Sequence, residues 1–421
     1  MTELHLKRSG NLQDIFREKA IRFIDKSAFL FFVILVFFLP ISNAAIESSF
    51  GFILMFLIIR AIYSRPTFKD IKIFFKDGVN LSLLVFYICI GISLVASSSL
   101  FAKSLRAWFT KWGEGLVLFY AAQIFLNKKR VKFLLGILIA STFLVCIDGL
   151  YQMIAGQDFI RGFSIAKTSG ITSHLSGVTA TFRHYNDFAA FILPLFFIIF
   201  AFFRKSNKIL FNVFISSTLM LLLINFFFTY SRGAWVSFLI TNLLIILFFS
   251  DKRTKKFSLC FFLIFMIGIV IIPTMGERFA YIFKRGGDAT RFQVWGTAIA
   301  MFKDSFLLGK GLGSFMGCFR QYSTDLSIQY AHNCYLQILA ETGFVGLLAF
   351  LWFLGEIILG SYKKLRLRFD SLFLGLFSAF LAFLIHIFFD TQLYALKLSI
   401  LFWVLASFLT VYARDTKDVS V

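Results

Sequence analysis

Acidic residues, prolines and cysteines are all scarce in this sequence of 421 residues, which has 22 aspartates and glutamates, 4 prolines and 5 cysteines. The scattered cysteines lack metal-ligand spacing, although Cys318 and Cys334 share one predicted loop as either a disulfide or two free thiols. No Asp-x-Asp pair occurs, which argues against a metal-held nucleotide sugar. The segment GKGLGSF, residues 309–315, lacks phosphate-loop spacing and is interpreted as a turn. No proline-rich or Gly/Ser-rich linker divides the chain.

Apolar residues, by contrast, make up 59% of the sequence, and 61 of them are phenylalanine. Apolar stretches long enough to cross about 30 Å of hydrocarbon as helices recur along the whole chain. The sequence therefore predicts an all-α, polytopic membrane protein with about twelve transmembrane helices in a single membrane domain, residues 1–421. The predicted spans are 28–46, 48–63, 81–100, 113–126, 132–154, 186–203, 209–230, 233–250, 257–275, 343–361, 371–389 and 395–412.

Positive charge is concentrated on alternate loops between these spans. About two thirds of the 43 lysines and arginines lie in the loops that the positive-inside rule assigns to the cytoplasm. With an even number of spans, both termini are predicted to be cytoplasmic. Two long loops then face the other side, 155–185 and 276–342. One basic loop does not fit this partition, FAKSLRAWFTKW at 101–112, and we interpret it as an amphipathic segment lying in the membrane interface.

The larger outer loop, 276–342, contains two predicted helices. Asp288 is a plausible N-cap, and apolar residues at 292, 295, 299 and 302 mark one helix face. Arg291 falls in the first turn, where free backbone N–H groups favour an anion, although a snorkelling arginine over an interfacial helix has the same spacing. The second helix is predicted from about His332 to Glu341. His332 is either a general base or a hydrogen-bonded surface histidine.

Arginine also interrupts the apolar sequence FFFTYSRGAWVSFL, residues 226–239. Arg232 lies between two consecutive spans, and no acidic residue occurs within fifteen positions of it. A charge there requires water, a partner or an anionic ligand. Arg183 precedes the sixth span in TATFRHYNDFAAF, so three arginines from distant parts of the chain reach one predicted face. Planar guanidinium groups suit bidentate binding of phosphate oxygens.

Taken in order, the segments GVTATFRHYNDFA, SRGAW, TRFQVW, GLGSF and AHNCYLQILAETGFVG resemble the O-antigen ligase and polymerase family over roughly residues 170–350. The resemblance implies a metal-independent, inverting glycosyltransferase of the bacterial inner membrane that needs no cofactor. The implied donor is a glycan on undecaprenyl diphosphate, and the implied acceptor is the lipid A core at the periplasmic face. Membrane lipid is a further expected partner and nucleic acid is not.

The resemblance also implies roles for individual residues. Arg232 and Arg291 would bind the diphosphate and His332 would act on the acceptor hydroxyl as catalytic residues. Substrate-binding positions would be Arg183, Asn186, Tyr230, Ser231 and Asn333.

Two other functions remain compatible with the sequence. A polymerase that joins lipid-linked repeat units shares the chemistry and differs in the acceptor, while a transporter or flippase would be non-enzymatic. The intramembrane ionisable residues Glu114, Asp148, Glu356 and His386 suit a proton relay, or polar packing and cavity lining. They show no internal repeat of the kind that many transporters carry. Between the two transferases we favour the ligase, because the arginine and histidine pattern with a single large loop late in the chain is more similar to it.

Overall fold

The computed structural model describes residues 2–96, 100–167, 176–203, 208–249, 252–280, 289–323 and 330–414. Within them the chain is all-α, as the sequence predicts. The helices are α1 Thr2–Phe38, α2 Asn43–Ser64, α3 Phe68–Phe74, α4 Gly78–Ile92, α5 Phe101–Ala107, α6 Glu114–Phe125, α7 Lys128–Ala155, α8 Tyr185–Phe203, α9 Ile209–Phe228, α10 Arg232–Phe248, α11 Lys252–Ile271, α12 Pro273–Ala280, α13 Ala289–Asp304, α14 Phe315–Phe319, α15 Cys334–Leu367, α16 Ser371–His386 and α17 Leu396–Arg414. A two-residue ladder pairs β1, Ala166–Lys167, with β2, Ser176–Gly177, antiparallel.

Each of the twelve predicted spans overlaps a helix of the described residues. Seven stretches, α2, α4 with the 3₁₀ turn after it, α7, α8, α9, α15 and α17, are long and apolar enough to cross a membrane. The apolar helices α10 and α16 and the apolar part of α11, Ser258–Ile271, are shorter. Predicted boundaries are wrong at the first span, 28–46, because α1 ends at Phe38 and a turn follows. Pro40 lies in that turn, and the turn is too apolar to be distinguished from a span by hydropathy. Ser42 then caps α2 by accepting the Ala45 N–H.

The predicted interfacial segment 101–112 is helical. It forms α5 and then a π-helical segment, Trp108–Gly113, that runs directly into α6. Phe101 and Phe109 are exposed, while Trp112 is buried against Phe86 and Trp403. The segment thus exposes apolar and basic side chains together. It is joined to the bundle by Trp112 and by Trp108, whose Nε1 donates to the Tyr87 carbonyl oxygen at 3.2 Å, and its depth in a membrane remains a prediction.

Three helices form the centre of the bundle. α8, α16 and α17 are buried on nearly every side, and α16 packs along both α8 and α17. Gly375 of α16 permits the close approach to α8, because a Cβ there would lie 2.8 Å from the Phe197 carbonyl oxygen. Small residues at such crossings let helices pack where lipid offers no hydrophobic driving force. Side chains at the ends of these three helices are therefore held on the best-packed part of the protein.

The two ends of the bundle differ in chemistry. At one end, which we call the basic end, ion pairs join distant loops: Arg414 to Asp77 at 3.1 Å and Lys128 to Asp370 at 3.4 Å. At the other, which we call the site end, Lys397 of α17 donates to the carbonyl oxygens of Pro40 (2.7 Å) and Thr181 (2.9 Å). Each set of contacts joins loops that the distribution of basic residues assigns to the same side of the membrane.

The glycine-rich segment 309–315 is a turn, as interpreted from its sequence, and it wraps around the start of α15. Gly311 N–H donates to the Glu341 carbonyl oxygen at 2.9 Å, and Gly313 N–H donates to the buried Glu341 carboxylate at 2.8 Å. Gly309 and Gly343 both have φ of 67°. The predicted break between a helix that ends at Glu341 and a span that opens at Gly343 is confirmed, because α15 consists of two helices joined at a kink where Gly343 is not helical.

Gly343→Ala is expected to destabilise the protein strongly. An alanine Cβ would lie 2.3 Å from the Leu307 carbonyl oxygen, in a backbone conformation that L-residues rarely adopt. We expect a loss of more than about 2 kcal/mol, measured as a lower thermal midpoint of the purified protein. Gly355→Ala on the same helix is the control, since no atom lies within 4 Å of its added Cβ. Equal midpoints for the two variants would contradict this packing.

Candidate functional site

A short loop between α16 and α17, residues 387–391 and called here the hub loop, is the meeting point of the site end. α16 ends at His386, so the predicted span 371–389 is too long by three residues, Ile387, Phe388 and Phe389. Cys334 N–H donates to the Ile387 carbonyl oxygen at 2.8 Å, which holds the start of α15 against the loop. The thiol of Cys334 contacts the Asp390 carbonyl oxygen at 3.4 Å. Cys334 and Cys318 are free thiols, so the structure contains no disulfide between them.

Asp390 binds residues from two distant segments. Its Oδ1 lies 3.1 Å from His332 Nδ1 and also accepts the Thr391 N–H at 2.8 Å. Its Oδ2 accepts Asn186 Nδ2 at 3.2 Å. Burial alone would raise the pKa of this carboxyl, but the hydrogen bond and charge of His332, together with Arg291, hold the pKa well below its usual range. Asp390 is therefore an ionised carboxylate.

The partnership with Asp390 fixes the chemistry of His332. A carboxylate can only accept, so His332 Nδ1 carries the proton in this hydrogen bond. In the neutral ring Nε2 then holds a free lone pair. The His332 side chain is 43% exposed while that of Asp390 is 16% exposed, so the imidazole is anchored at its inner nitrogen and reachable at its outer one. This is the geometry of a histidine base oriented by a buried acid.

Backbone strain is concentrated in the same segments. Among the described residues, four other than glycine have positive φ, and three lie at the site end: Ala180 at 44°, Tyr230 at 53° and His332 at 49°. Such conformations cost about 1 to 3 kcal/mol each and persist where the surroundings enforce them. Asn333 follows His332 directly, and its side chain caps α15 by accepting the Leu336 N–H at 3.1 Å. The structure shows Asn333 as this helix cap, and its substrate-binding role stays a prediction.

Arg232 is the first residue of α10, which begins beside the hub loop. Gly233 packs so closely on the loop that a Cβ there would lie 2.8 Å from Phe389 Cβ. Ser231 is the N-cap position and is buried, but its side chain makes no capping hydrogen bond. The predicted arginine therefore lies at a helix N-terminus, where backbone N–H groups and the helix dipole add to its positive charge.

A fourth arginine, not singled out from the sequence, supports this segment. Arg278 of α12 is 2% exposed, donates from Nε to the Tyr230 carbonyl oxygen at 3.2 Å, and lies 3.4 Å from the Tyr185 hydroxyl. It links the start of α10 to the start of α8. A buried guanidinium that holds backbone and side-chain oxygens in this way is a positioning group.

Arg291 is the third residue of α13 and so lies in its first turn, as predicted. Asp288, its predicted N-cap, lies outside the described residues. Trp295 of the same helix contacts Phe388 of the hub loop with ring centroids 5.6 Å apart, and Arg291 acts electrostatically on Asp390. The buried face of α13, however, is Val294, Ala298 and Met301, while Phe292 of the predicted face is exposed.

The start of α8 and the turn before it bring two further predicted residues, Asn186 and Arg183, to the site end. Asn186 binds Asp390, and its backbone N–H donates to His184 Nδ1 at 3.1 Å. The neutral His184 ring therefore presents Nε2–H as a donor rather than a base. Arg183 is exposed in the turn just before the helix. The structure gathers Asn186, His332 and Asp390 in direct contact, with Arg232 and Arg291 on helices that pack against the same loop.

Asp390 and Arg278 are the site-end residues that sequence reasoning missed. Asp390 had one signal, since it is the only acidic residue between positions 371 and 414 and stands at the predicted outer end of a span. Arg278 had no such signal in the sequence, because the residues around it are typical of a loop. No group of three His, Cys, Asp or Glu that could hold a metal occurs among the described residues.

The other ionisable residues in or near spans have local roles. Asp148 accepts the Phe159 N–H at 2.8 Å, and Glu356 accepts Trp352 Nε1 at 3.0 Å. Glu114 lines a cavity of about 460 Å³ that opens beside Leu393 and Tyr394. Its other charged lining residues are Glu47, Arg106 and Lys111, so acids and bases balance.

Asp390→Asn is expected to slow the reaction about 10-fold to 100-fold while leaving the donor KM unchanged. The substitution keeps the shape but removes the charge that orients the His332 ring and stabilises it when protonated. Steady-state kinetics of the purified protein check this. Asp304→Asn changes an exposed acid at the end of α13 and serves as the control. A donor KM raised with kcat unchanged would contradict a positioning role for Asp390.

Comparison with known proteins supports the motif resemblance. Residues 217–351 match the profile of a protein family described as O-antigen ligase. The match runs from within α9 to within α15 and includes Arg232, Arg291 and His332. It confirms the predicted resemblance over this segment, and the chain is a polytopic membrane protein that contains a segment similar to the O-antigen ligase family. No curated protein matches the chain. Asn186 and Asp390 lie outside the matched segment.

Proposed function

We propose that the protein is an O-antigen ligase, which transfers a finished polysaccharide from undecaprenyl diphosphate to the lipid A core at the periplasmic face. One observation carries the proposal: His332 is oriented by the ionised Asp390 on the loop against which the helices of Arg232 and Arg291 pack. A base and two cations at one membrane-surface site suit attack of a hydroxyl on a lipid-linked glycosyl diphosphate.

The acceptor half of the reaction falls to His332. Nε2 takes the proton as the acceptor oxygen forms its bond to the anomeric carbon of the donor. Asp390 stabilises the imidazolium that results, and Asn186 holds the second carboxylate oxygen so that the acid does not rotate. Attack from the face opposite the diphosphate inverts the anomeric centre.

The donor half falls to the arginines. The glycosidic C–O bond breaks with its electron pair going to the diphosphate oxygen, so negative charge grows on the leaving group. Arg232 and Arg291 each lie in the first turn of a helix, where guanidinium and backbone N–H groups act together on an anion. Arg183, exposed before α8, is the third cation in this assignment. The polyprenyl tail stays in the bilayer while the diphosphate reaches these residues.

Genetic loss of the protein tests the function. We expect a deletion strain to accumulate long lipid-linked polymer and to carry bare core, with rescue by the wild-type gene and not by one encoding His332→Asn. Core bearing a single repeat unit would instead identify a polymerase. A normal lipopolysaccharide profile combined with altered uptake or flipping would support a transporter and refute the transferase.

The membrane orientation is also a proposal, with the basic end in the cytoplasm. Single cysteines at positions 20, 205, 254 and 365 are expected to resist an impermeant thiol reagent in intact cells, and those at 165, 285 and 325 to react. The native cysteines are replaced first, which matters most for the exposed Cys260. Labelling of 20 and 365 from outside, with 165 protected, would place the site end in the cytoplasm and refute a periplasmic reaction.

A further inference from the structure

A second cavity lies at the basic end, between the first residues of α4 and the last turns of α15 and α17. Its volume is about 410 Å³. Its walls are largely apolar and include Val79, Ile357, Leu367 and Ala413. The cations in its lining are Lys363, Lys364, Arg368 and Arg414.

The charges of this cavity do not balance. Asp77 is compensated, because it pairs with Arg414 at 3.1 Å and caps α4 by accepting the Val79 N–H at 3.1 Å. Glu356 accepts Trp352 Nε1 at 3.0 Å and lies against the start of α4. The four cations thus exceed the two acids by two charges, and the excess favours an anion.

The arrangement of the lining identifies the kind of anion. A soluble phosphate compound needs polar groups on most sides, whereas here the lining is largely apolar and its cations belong to the C-terminal ends of α15 and α17. The adjoining helix surface is apolar and exposed, with Leu359 58% and Leu367 88% accessible. A phospholipid matches this lining, because its acyl chains suit the apolar residues and its phosphate suits the cations. Basic pockets between helix ends are known to bind anionic headgroups.

We propose that this cavity binds an anionic phospholipid of the leaflet at the basic end. The phosphate lies against Lys363 and Arg368, and the glycerol and upper acyl chains lie along Ile357 and Gly360. The lipid joins α4, α15 and α17 where these helices leave the membrane. The proposal does not depend on the proposed function, because the cavity lies at the opposite end from the hub loop.

Gly360 offers a test that changes no charge. A Cβ at Gly360 has no atom within 4 Å, so Gly360→Phe places its ring in the cavity without a backbone clash. Gly355 lies on the same helix, has equally open surroundings and does not line the cavity, so Gly355→Phe is the matched control. The paired substitution Lys363→Gln with Arg368→Gln removes charge instead, and Lys129→Gln with Lys132→Gln removes equal charge elsewhere at that end.

The experiment measures phosphatidylglycerol retained by the full-length protein in native mass spectrometry, and its thermal midpoint in phosphatidylglycerol and phosphatidylcholine nanodiscs. We expect wild type and both controls to retain the lipid and to be more stable with it. Gly360→Phe and the Lys363/Arg368 variant should bind it about tenfold more weakly. Equal losses in the Lys129/Lys132 control, unchanged binding in both test variants, or equal stabilisation by inorganic phosphate would overturn the proposal. If Gly360→Phe fails to fold, the charge pair decides.

Discussion

His332→Asn is expected to slow glycan transfer about 100-fold to 10,000-fold, the largest effect of any single substitution at the site. The variant removes the base but keeps a side chain that tolerates the left-handed backbone at this position, where φ is 49°. Binding of a lipid diphosphate donor should stay nearly unchanged, since the imidazole acts on the acceptor. Single-turnover transfer and equilibrium donor binding, measured on folded protein in detergent, separate the two steps.

His184→Ala is the control for this prediction. Its Nδ1 already accepts the Asn186 N–H, so the ring is a donor and its loss should cost less than about tenfold. If donor binding weakened in His332→Asn, or if transfer were slowed more in His184→Ala, the assignment of His332 as the base would be wrong.

Arg232→Ala is expected to lose about 2 to 4 kcal/mol of transition-state stabilisation, roughly 30-fold to 1,000-fold in rate. Lysine should restore only part of it, because an ammonium keeps the charge without the two-point contact of a guanidinium. Unlike the histidine variant, this one should also bind the donor more weakly. The same two measurements distinguish the variants.

Arg161→Ala is the matched control, since Arg161 is also at the site end but donates to the Ile41 carbonyl oxygen, away from the hub loop. It should transfer and bind as wild type does. Wild-type transfer by Arg232→Ala would make that arginine an ordinary interfacial residue and would remove the diphosphate from this position.

The fold could be predicted from the sequence because the membrane simplifies the problem. In the hydrocarbon of a membrane, every backbone N–H and C=O group must be hydrogen-bonded within the protein. A long apolar segment is therefore helical, and hydropathy alone locates it. The turn at Pro40 and the hub loop were misplaced for the same reason, since Phe388 and Phe389 are as apolar as the span before them. Hydropathy distinguishes apolar from polar segments, but it does not distinguish an apolar helix from an apolar turn that is buried in the protein.

The arginines could be predicted because a charge among apolar residues is costly wherever it lies. The partner of His332 could not, since Asp390 is 58 residues away and meets it only after α15 and α16 have packed. The face of α13 shows a similar limit. Its apolar residues occur on two sides, and periodicity alone does not tell that Val294 and Met301 face the protein while Phe292 does not.

The position of Asp390 in the chain has a consequence for biosynthesis. The hairpin of α16 and α17 follows every other helix that contributes to the site, so it leaves the ribosome after them. Until it inserts, His332 has no carboxylate, Asn186 has no acceptor, and Gly233 of α10 has no Phe389 to pack against. A partly inserted chain therefore lacks these contacts, and the proposed active site forms only when this hairpin has been inserted.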